Sequence, residues 1–266
     1  MNDAATDDAE NGAILVETAD GIATITLNRP ERMNSLSPAM LRALPVAISQ
    51  AVDTGARVIV ITGSGRGFCA GANLGAGRHA LSDLGTAIET LYNPLALSLA
   101  NSPVPIVTAV NGAAAGAGVG LALGGDIIVA ARSAYFLLAF VNIGLVPDAG
   151  SSWLVAKAVG RVKALEMALL GERLSADDAL SCGLVTRVVD DADLLPAAMA
   201  IAHKLAALPP LALGMIRRQI GAALDEPFAA TLDIERDNQR RAGHTADHAE
   251  GVAAFREKRA ACFNGS

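Results

Sequence analysis

The chain reads as an α/β protein that ends in a helical region, and three features of the sequence say so. Continuous apolar runs, mostly β-branched, at 58–62, 104–110 and 127–130 have the composition of parallel strands buried on both faces. Stretches with helical spacing lie between them. Beyond Leu194 strand signals stop and only amphipathic helical patterns continue. At 266 residues and 52% hydrophobic content the chain can bury a large core. Aromatics make up only 3%, so that core is expected to consist of Ala, Val, Leu and Ile in close-packed layers.

Taken in order, 14–18 and 22–27 read as two strands joined by Asp20-Gly21, a strong hairpin signal. Ser37-Pro38 opens a helix to about residue 51, with Ser as cap and Pro in the first turn. The strand 58–62 leads into a glycine-rich loop at 63–67. A helix is expected over 86–100, a buried strand over 104–110, a helix over 117–123 and a strand over 127–130. Residues 135–138 suit a short strand. Two helices, 151–159 and 162–170, are ended by Gly160 and Gly171. Ser175-Ala-Asp-Asp resembles a capping box, and 185–189 is the last expected strand. Helical patterns follow at 194–207, 211–224, 227–241 and 245–260. The expected organisation is a disordered tail at 1–11, an α/β core at 12–193 and a helical region at 194–266.

Composition excludes several function classes. The net charge is −6 and the pI about 5.2, which gives no electrostatic support for nucleic acid or an acidic membrane as partner. Cys69, Cys182 and Cys262 are odd in number and widely spaced, as reduced thiols in a cytoplasmic protein would be. His79, His203, His244 and His248 are scattered, so no metal site is expected; His244 and His248 fit a solvated helix face beside Asp247 and Glu250. The tail, with Asp3, Asp7, Asp8 and Glu10, has no apolar run and is no signal peptide. The stretch 90–125 carries no charge, but Pro94, Asn101, Pro103, Pro105 and Asn111 interrupt it, so a buried strand and helix fit better than a membrane span.

Three segments point to chemistry. Gly67-Phe68-Cys69-Ala70-Gly71-Ala72-Asn73-Leu74 follows a buried strand, and its small residues let the backbone pass close to a ligand. Asn111–Gly120, written NGAAAGAGVG, also follows a strand and opens a helix, whose first N–H groups suit an oxygen gaining negative charge. Both segments also suit plain close packing. The third segment is Ile143-Gly-Leu-Val-Pro-Asp148-Ala-Gly150. Between Asp126 and Lys157 the only charged residues are Arg132 and Asp148. Two converging amides and one carboxylate suit enolate chemistry: the amides hold a thioester oxygen while the acid moves a proton at carbon. Asp148 also suits a helix N-cap, since Ser151 and Ser152 follow; the helix end would lower its pKa, whereas Phe140, Leu145 and Trp153 would raise it. Gly116-x-Gly118-x-Gly120 does not make a dinucleotide turn, because the third glycine comes one residue early and no acid follows at the required distance. Neither GxxxxGK[ST] nor GxSxG occurs.

On these residues the chain resembles the crotonase (enoyl-CoA hydratase/isomerase) superfamily. The likeness runs from LNRPERMN at 27–34 to FREKR at 255–259. The stretches AAGAGVGLALGGDIIVAARSAYF and IGLVPDAGSSW are most similar to the ring-epoxide and enoyl-CoA isomerase branch. The resemblance implies a spiral of ββα turns with C-terminal helices that assemble a homotrimer or a dimer of trimers. It implies acyl-CoA substrates, with coenzyme A entering as part of the substrate and no other cofactor. It places the oxyanion donors on the backbone N–H groups of Ala72 and Ala117. It places the nucleotide end of CoA against Arg32 and Met33, and further CoA contacts on Phe255 and Lys258. Ala70, Asn73 and Leu74 beside the first donor, and Gly120, Phe140 and Pro147 around the acid, are expected to line the substrate.

The departures sharpen the expectation. The family's hydratases hold water with two glutamates, and the matching positions here are Gly120 and Phe140, neither of which moves a proton. Asp148 matches the acid of the isomerase branch. Aryl-CoA dehalogenases also carry an aspartate there, but they add a histidine base, and the only histidine in the first half of this chain is His79. The expectation is therefore a double-bond isomerase with Asp148 as its acid/base. The alternatives are an enoyl-CoA hydratase in which Asp148 alone activates water, and a non-catalytic acyl-CoA binding protein.

Overall fold

The structure is a computed structural model that describes residues 12–73 and 83–266. The expected disordered tail, Leu74 and His79 lie outside the described residues.

The chain opens with an antiparallel hairpin, β1 (Ile14–Ala19) and β2 (Ile22–Leu27), paired from Ile14 with Leu27 to Ala19 with Ile22. Asp20 and Gly21 both have positive φ (52° and 73°), as a two-residue hairpin turn of this hand requires. The 3₁₀ turn Pro30–Arg32 follows, and then helix α1 (Pro38–Asp53). The Ser37 hydroxyl accepts the Met40 N–H, and Met40, Leu41, Leu44, Ala47, Ile48 and Ala51 form the buried face.

Next comes a repeated unit. A strand of one sheet is followed by a short strand of a second sheet and then by helix. The first unit is β3 (Val58–Gly63), β4 (Gly67–Cys69) and a helix in three pieces: α2 (Leu84–Ala87), a π-turn (Ile88–Tyr92) and α3 (Asn93–Ala100). The second is β5 (Ile106–Val110), β6 (Ala113–Ala115) and α4 (Ala117–Leu123). The third is β7 (Ile127–Ala131), β8 (Tyr135–Leu137), a 3₁₀ turn (Ala139–Ile143) and α5 (Ser151–Leu170). The strand β9 (Leu174–Ser175), helix α6 (Ala176–Ser181) and strand β10 (Arg187–Val189) complete the two sheets.

The large sheet has the order β1-β2-β3-β5-β7-β10 and is parallel from β2 to β10. The small sheet has the order β4-β6-β8-β9. This is the ββα spiral expected from the resemblance. The strands β3 and β5 are buried along nearly their whole length, which accounts for their unbroken apolar sequence. The uncharged stretch 90–125 becomes α3, β5, β6 and α4, and most of it is buried. No single helix among the described residues is long and apolar enough to cross a membrane.

Four helices end the chain: α7 (Leu194–Ala206), α8 (Pro210–Ala223), α9 (Phe228–Gly243) and α10 (Ala246–Glu257). The composition changes at 194, but the packing changes later. Helix α7 buries Leu194, Ala198, Ile201, Ala202 and Ala206 in the central core, and the core ends with Ala206. Helix α8 is held to the body by Arg217, whose Nε pairs with Asp126 at 2.6 Å and whose other nitrogens donate to the Ser102 and Leu99 carbonyls. Helix α9 buries no side chain fully.

Candidate active site

One buried side chain assembles the first wall of the site. Asn34 has positive φ (54°), at which an Asn is tolerated, and it is fully buried. Its Oδ1 accepts the Arg29 N–H at 2.7 Å, and its Nδ2 donates to the Ser64 and Gly67 carbonyls at 2.9 and 2.7 Å. The turn that carries Arg32 and Met33 is thereby stapled to the loop after β3. The pairing continues: the Ala70 N–H donates to Met33, Leu36 to Gly71, and Asn73 to Leu36. Ala72 lies opposite Leu36 in this short parallel bridge. The bridge uses the Gly71 carbonyl and the Asn73 N–H, so alternation along the extended chain turns the Ala72 N–H away from Leu36.

The second amide comes from α4. Ala117 is the first residue of that helix, and its N–H has no partner within it. Gly116, at φ 53° and ψ −127°, sets the direction of the peptide in front of it, a conformation that a β-carbon would oppose. The two donor segments touch. A β-carbon placed on Gly71 would lie 2.7 Å from the Ala115 carbonyl oxygen and 3.4 Å from the Ala117 nitrogen. One on Gly118 would lie 2.2 Å from the Cys69 carbonyl oxygen, so α4 rests directly on β4. Close packing thus brings the segment that carries Ala72 against the first residue of α4. The ring of Phe140 closes this corner, with its Cζ 3.9 Å from a β-carbon position on Gly116.

The acid sits one helical turn along α4. Gly120 abuts the 148–150 turn, since a β-carbon there would lie 2.3 Å from the Ala149 carbonyl oxygen. Three residues of helix advance about 4.5 Å, so the turn that carries Asp148 packs on α4 one helical turn beyond Ala117. The carboxylate does not cap α5. The Ser151 N–H and hydroxyl bond the Asp148 backbone carbonyl, at 2.9 and 2.6 Å, and the cap residue is Gly150, which makes no side-chain cap bond. Asp148 Oδ1 is buried with no hydrogen-bond partner. Burial raises its pKa to about 6, against a smaller lowering from its own backbone hydrogen bond.

The hydrogen bonds join Met33 to Ala70 and Leu36 to Gly71 and Asn73, Gly116 and Gly120 meet Phe140 and Ala149, and Pro147 lines a separate cavity with Leu138, Ser151 and Val155. Arg32 is exposed and Met33 half-buried. Within one chain Phe255 and Lys258 stand apart. Phe255 is 85% exposed on the helical region, at the edge of a separate cavity of about 350 Å³ with Leu211, Val252 and Phe263, and Lys258 ends α10. Among the described residues no group of three or more His, Cys, Asp or Glu side chains could hold a metal ion.

Sequence reasoning missed two residues. Asn34 was visible as the end of LNRPERMN, but its bonds join segments 30 residues apart in sequence. Tyr92 was visible as one of two tyrosines, set in an uncharged stretch. It is 9% exposed; burial, together with the Asp148 and Cys69 charges, pushes its pKa up to about 12.

A ββα spiral that packs two glycine-rich turns against each other, with a buried carboxylate on the next turn, is an arrangement suited to an acyl-thioester substrate. Residues 17–266 match the enoyl-CoA hydratase/isomerase family model. The chain is 46% identical over 258 residues to the 1,2-epoxyphenylacetyl-CoA isomerase of Escherichia coli strain K12, covering 95% of this chain and 98% of that protein. It is 43% identical to a Rhodobacter capsulatus protein named "probable enoyl-CoA hydratase", with the same coverage of 95% and 98%. Its structure is similar to that of an enoyl-CoA hydratase from Polaromonas sp. JS666, with a TM-score of 0.89 at 37% identity, covering 94% of this chain and 99% of that one. The chain belongs to the enoyl-CoA hydratase/isomerase family and is an enzyme of that family.

Proposed function

We propose that this enzyme is an enoyl-CoA double-bond isomerase. One observation carries the reading: Asp148, on the turn that packs against Gly120, has a buried carboxylate oxygen with no hydrogen-bond partner among the described residues; by the family resemblance, Gly120 and Phe140 match the two positions where the hydratases hold water. The thioester oxygen accepts from the Ala72 and Ala117 N–H groups. Asp148 takes a proton from the carbon α to the thioester, the electrons move onto the carbonyl oxygen, and the resulting dienolate recovers the proton from Asp148 at the γ carbon. Each amide donor contributes on the order of 3 kcal/mol to the enolate-like transition state. A carboxyl with pKa about 6 is mostly ionised at neutral pH and still returns the proton readily, which suits both half-reactions. The scheme uses no metal and no redox cofactor; coenzyme A enters with the substrate.

The remaining site residues follow from the same reading. Arg32 and Met33 meet the nucleotide end of CoA, and Ala70, Asn73, Leu74 and Pro147 line the acyl thioester. Phe255 and Lys258 act from a neighbouring copy in a homotrimer or dimer of trimers. The apolar exposure of Val162, Leu169, Leu170 and Phe228 supports such an assembly, as each is more than half exposed in the single chain. A cytoplasmic location fits three unpaired cysteines.

The test is turnover of a 3-enoyl-CoA by Asp148→Asn, together with solvent deuterium exchange at the α carbon. Loss of both is expected; unchanged turnover would falsify the assignment. Enzymatic formation of 3-hydroxyacyl-CoA from crotonyl-CoA would favour a hydratase instead. Tight acyl-CoA binding with no α-exchange by the native enzyme would favour a non-catalytic binder. The identity to the E. coli isomerase supports a second substrate reading, a ring-epoxide thioester, which product analysis with that compound decides.

A further inference from the structure

Tyr92, the last residue of the π-turn and the N-cap of helix α3, carries a polar side chain that the mechanism above does not use. Tyr92, Ala96 and Leu99 stand at i, i+4 and i+7, on one face of the helix. The later two lie against the site wall: a β-carbon on Gly124 would meet Leu99 Cδ1 at 2.6 Å, and one on Gly150 would meet Ala96 Cβ at 3.9 Å. The face therefore runs back along α4, from its C-terminal end past the 148–150 turn. Tyr92, one turn before Ala96, comes level with Asp148 and the first turn of α4. The charges that act on its phenol agree with this placement, since they are those of Asp148 and of Cys69, the residue beneath Gly118.

The two groups have complementary needs. Asp148 Oδ1 is buried without a donor. The Tyr92 hydroxyl makes no hydrogen bond among the described residues. A phenol that stays protonated to about 12 is always a donor and never a competing base. Hydrogen bonds in a catalytic site are often long before substrate binds and shorten when it does.

We propose that Tyr92 is a positioning residue for Asp148: its hydroxyl donates to the free carboxylate oxygen once acyl thioester fills the site, keeping the acid ionised and aimed at the reacting carbon. This rests on the reading of Asp148 as the base. A donor to the charged form lowers a carboxyl pKa, so its loss raises it.

The experiment is Tyr92→Phe in the full chain, which keeps the ring and its packing. The acid limb of the kcat–pH profile for 3-enoyl-CoA isomerisation, which reports the substrate-bound enzyme, should move up by about one pH unit. At neutral pH kcat should fall by about tenfold, while KM stays within about twofold. Infrared difference titration of the Asp148 carboxyl band with butyryl-CoA bound, assigned by its loss in Asp148→Asn, should show the same upward move. A second variant does not depend on that substitution folding. With Tyr135→Phe in place, 3-fluorotyrosine enters only at position 92 and is a stronger donor of nearly the same shape, so the acid limb should move down. An acid limb and carboxyl band that stay put in either protein overturn the proposal. Asp148→Asn run in parallel separates the two failures. If it retains α-exchange, the base assignment itself falls. If it is inactive while Tyr92→Phe titrates like the native enzyme, only the role of Tyr92 falls.

Discussion

Gly120 and Ala149 are in direct backbone contact: a β-carbon on Gly120 would lie 2.3 Å from the Ala149 carbonyl oxygen and 3.0 Å from the Ala149 methyl. On the proposed reading, position 120 matches a water-holding glutamate of the family's hydratases, and here the turn bearing Asp148 fills that space. The missing glutamate and the placement of the aspartate are thus one structural choice.

It follows that Gly120→Glu does not convert the enzyme into a hydratase. The new side chain must push the 148–150 turn aside, and a shift near 1 Å at a reacting group costs about 100-fold. Isomerase turnover should fall by at least that much, with no 3-hydroxyacyl-CoA from crotonyl-CoA. Chromatography of both products checks this, and a variant that hydrates while still isomerising would contradict the account.

Asp148 also makes a prediction about stability. Its pKa in the folded protein, about 6, lies above its ordinary 3.8, so the fold favours the protonated form. The group's stabilising contribution is full below about pH 4 and is lost as pH rises through 6. At pH 7–8 the ionised carboxylate is therefore a burden. After discounting for its partial exposure, it costs about 1–2 kcal/mol. Asp148→Asn should unfold about 2–6 °C higher than the native enzyme at pH 7.5, and the gap should close near pH 4. Thermal scans across that range decide it; a variant less stable at pH 7.5 would mean that the carboxylate holds the helix end after all.

How much was legible beforehand depends on whether a signal is local. Asp20-Gly21 makes its hairpin, Ser37 caps α1 and Ser175 caps α6 by accepting the Asp178 N–H, because each needs only its immediate neighbours. Gly160 breaks α5 as expected, at φ 75° and ψ 167°. The strands β4, β6 and β9 were missed; they are two or three residues long and exist only through partners elsewhere in the chain. The π-turn at Ile88–Tyr92 has no compositional mark of its own. For the site, Asp148 stood out as an isolated charge, and the two amides were assigned through the family resemblance. Asn34 and Tyr92 did not, since what matters about them is what faces them across the fold.

Asn34→Ala tests the staple under the CoA-side wall. The substitution leaves the Arg29 N–H and the Ser64 and Gly67 carbonyls without that partner. The Gly67 carbonyl keeps a bond from Asn111 Nδ2, at 3.2 Å, which limits the damage. A loss of about 2–4 kcal/mol is expected, seen as a fall of about 5–15 °C in the melting temperature. Because Arg32 and Met33 lose their anchor, KM for acyl-CoA should rise more than kcat falls. Calorimetry and steady-state kinetics read the two effects separately, and an unchanged KM would detach this turn from CoA binding.

Gly118→Ala tests whether the contact of α4 with β4 is what brings the two amides together. The added methyl would lie 2.2 Å from the Cys69 carbonyl oxygen and 3.0 Å from its β-carbon. Backbone on one side and a buried thiol on the other leave it no flexible neighbour to displace, so the helix end must lift. Overpacking of this kind costs about 1–3 kcal/mol of stability. The sharper effect is on rate. Lifting α4 draws the Ala117 N–H away from the Ala72 N–H and from the position of the enolate oxygen, and losing one such donor lowers kcat by about 100- to 1,000-fold. If CoA binds at Arg32 and Met33 as proposed, KM should change little. Gly221→Ala, at an α8 position where a β-carbon meets nothing within 4 Å, is the control for inserting alanine in a helix. If Gly118→Ala keeps kcat within about threefold of that control, the amide pair does not depend on this contact, and the oxyanion reading loses its structural basis.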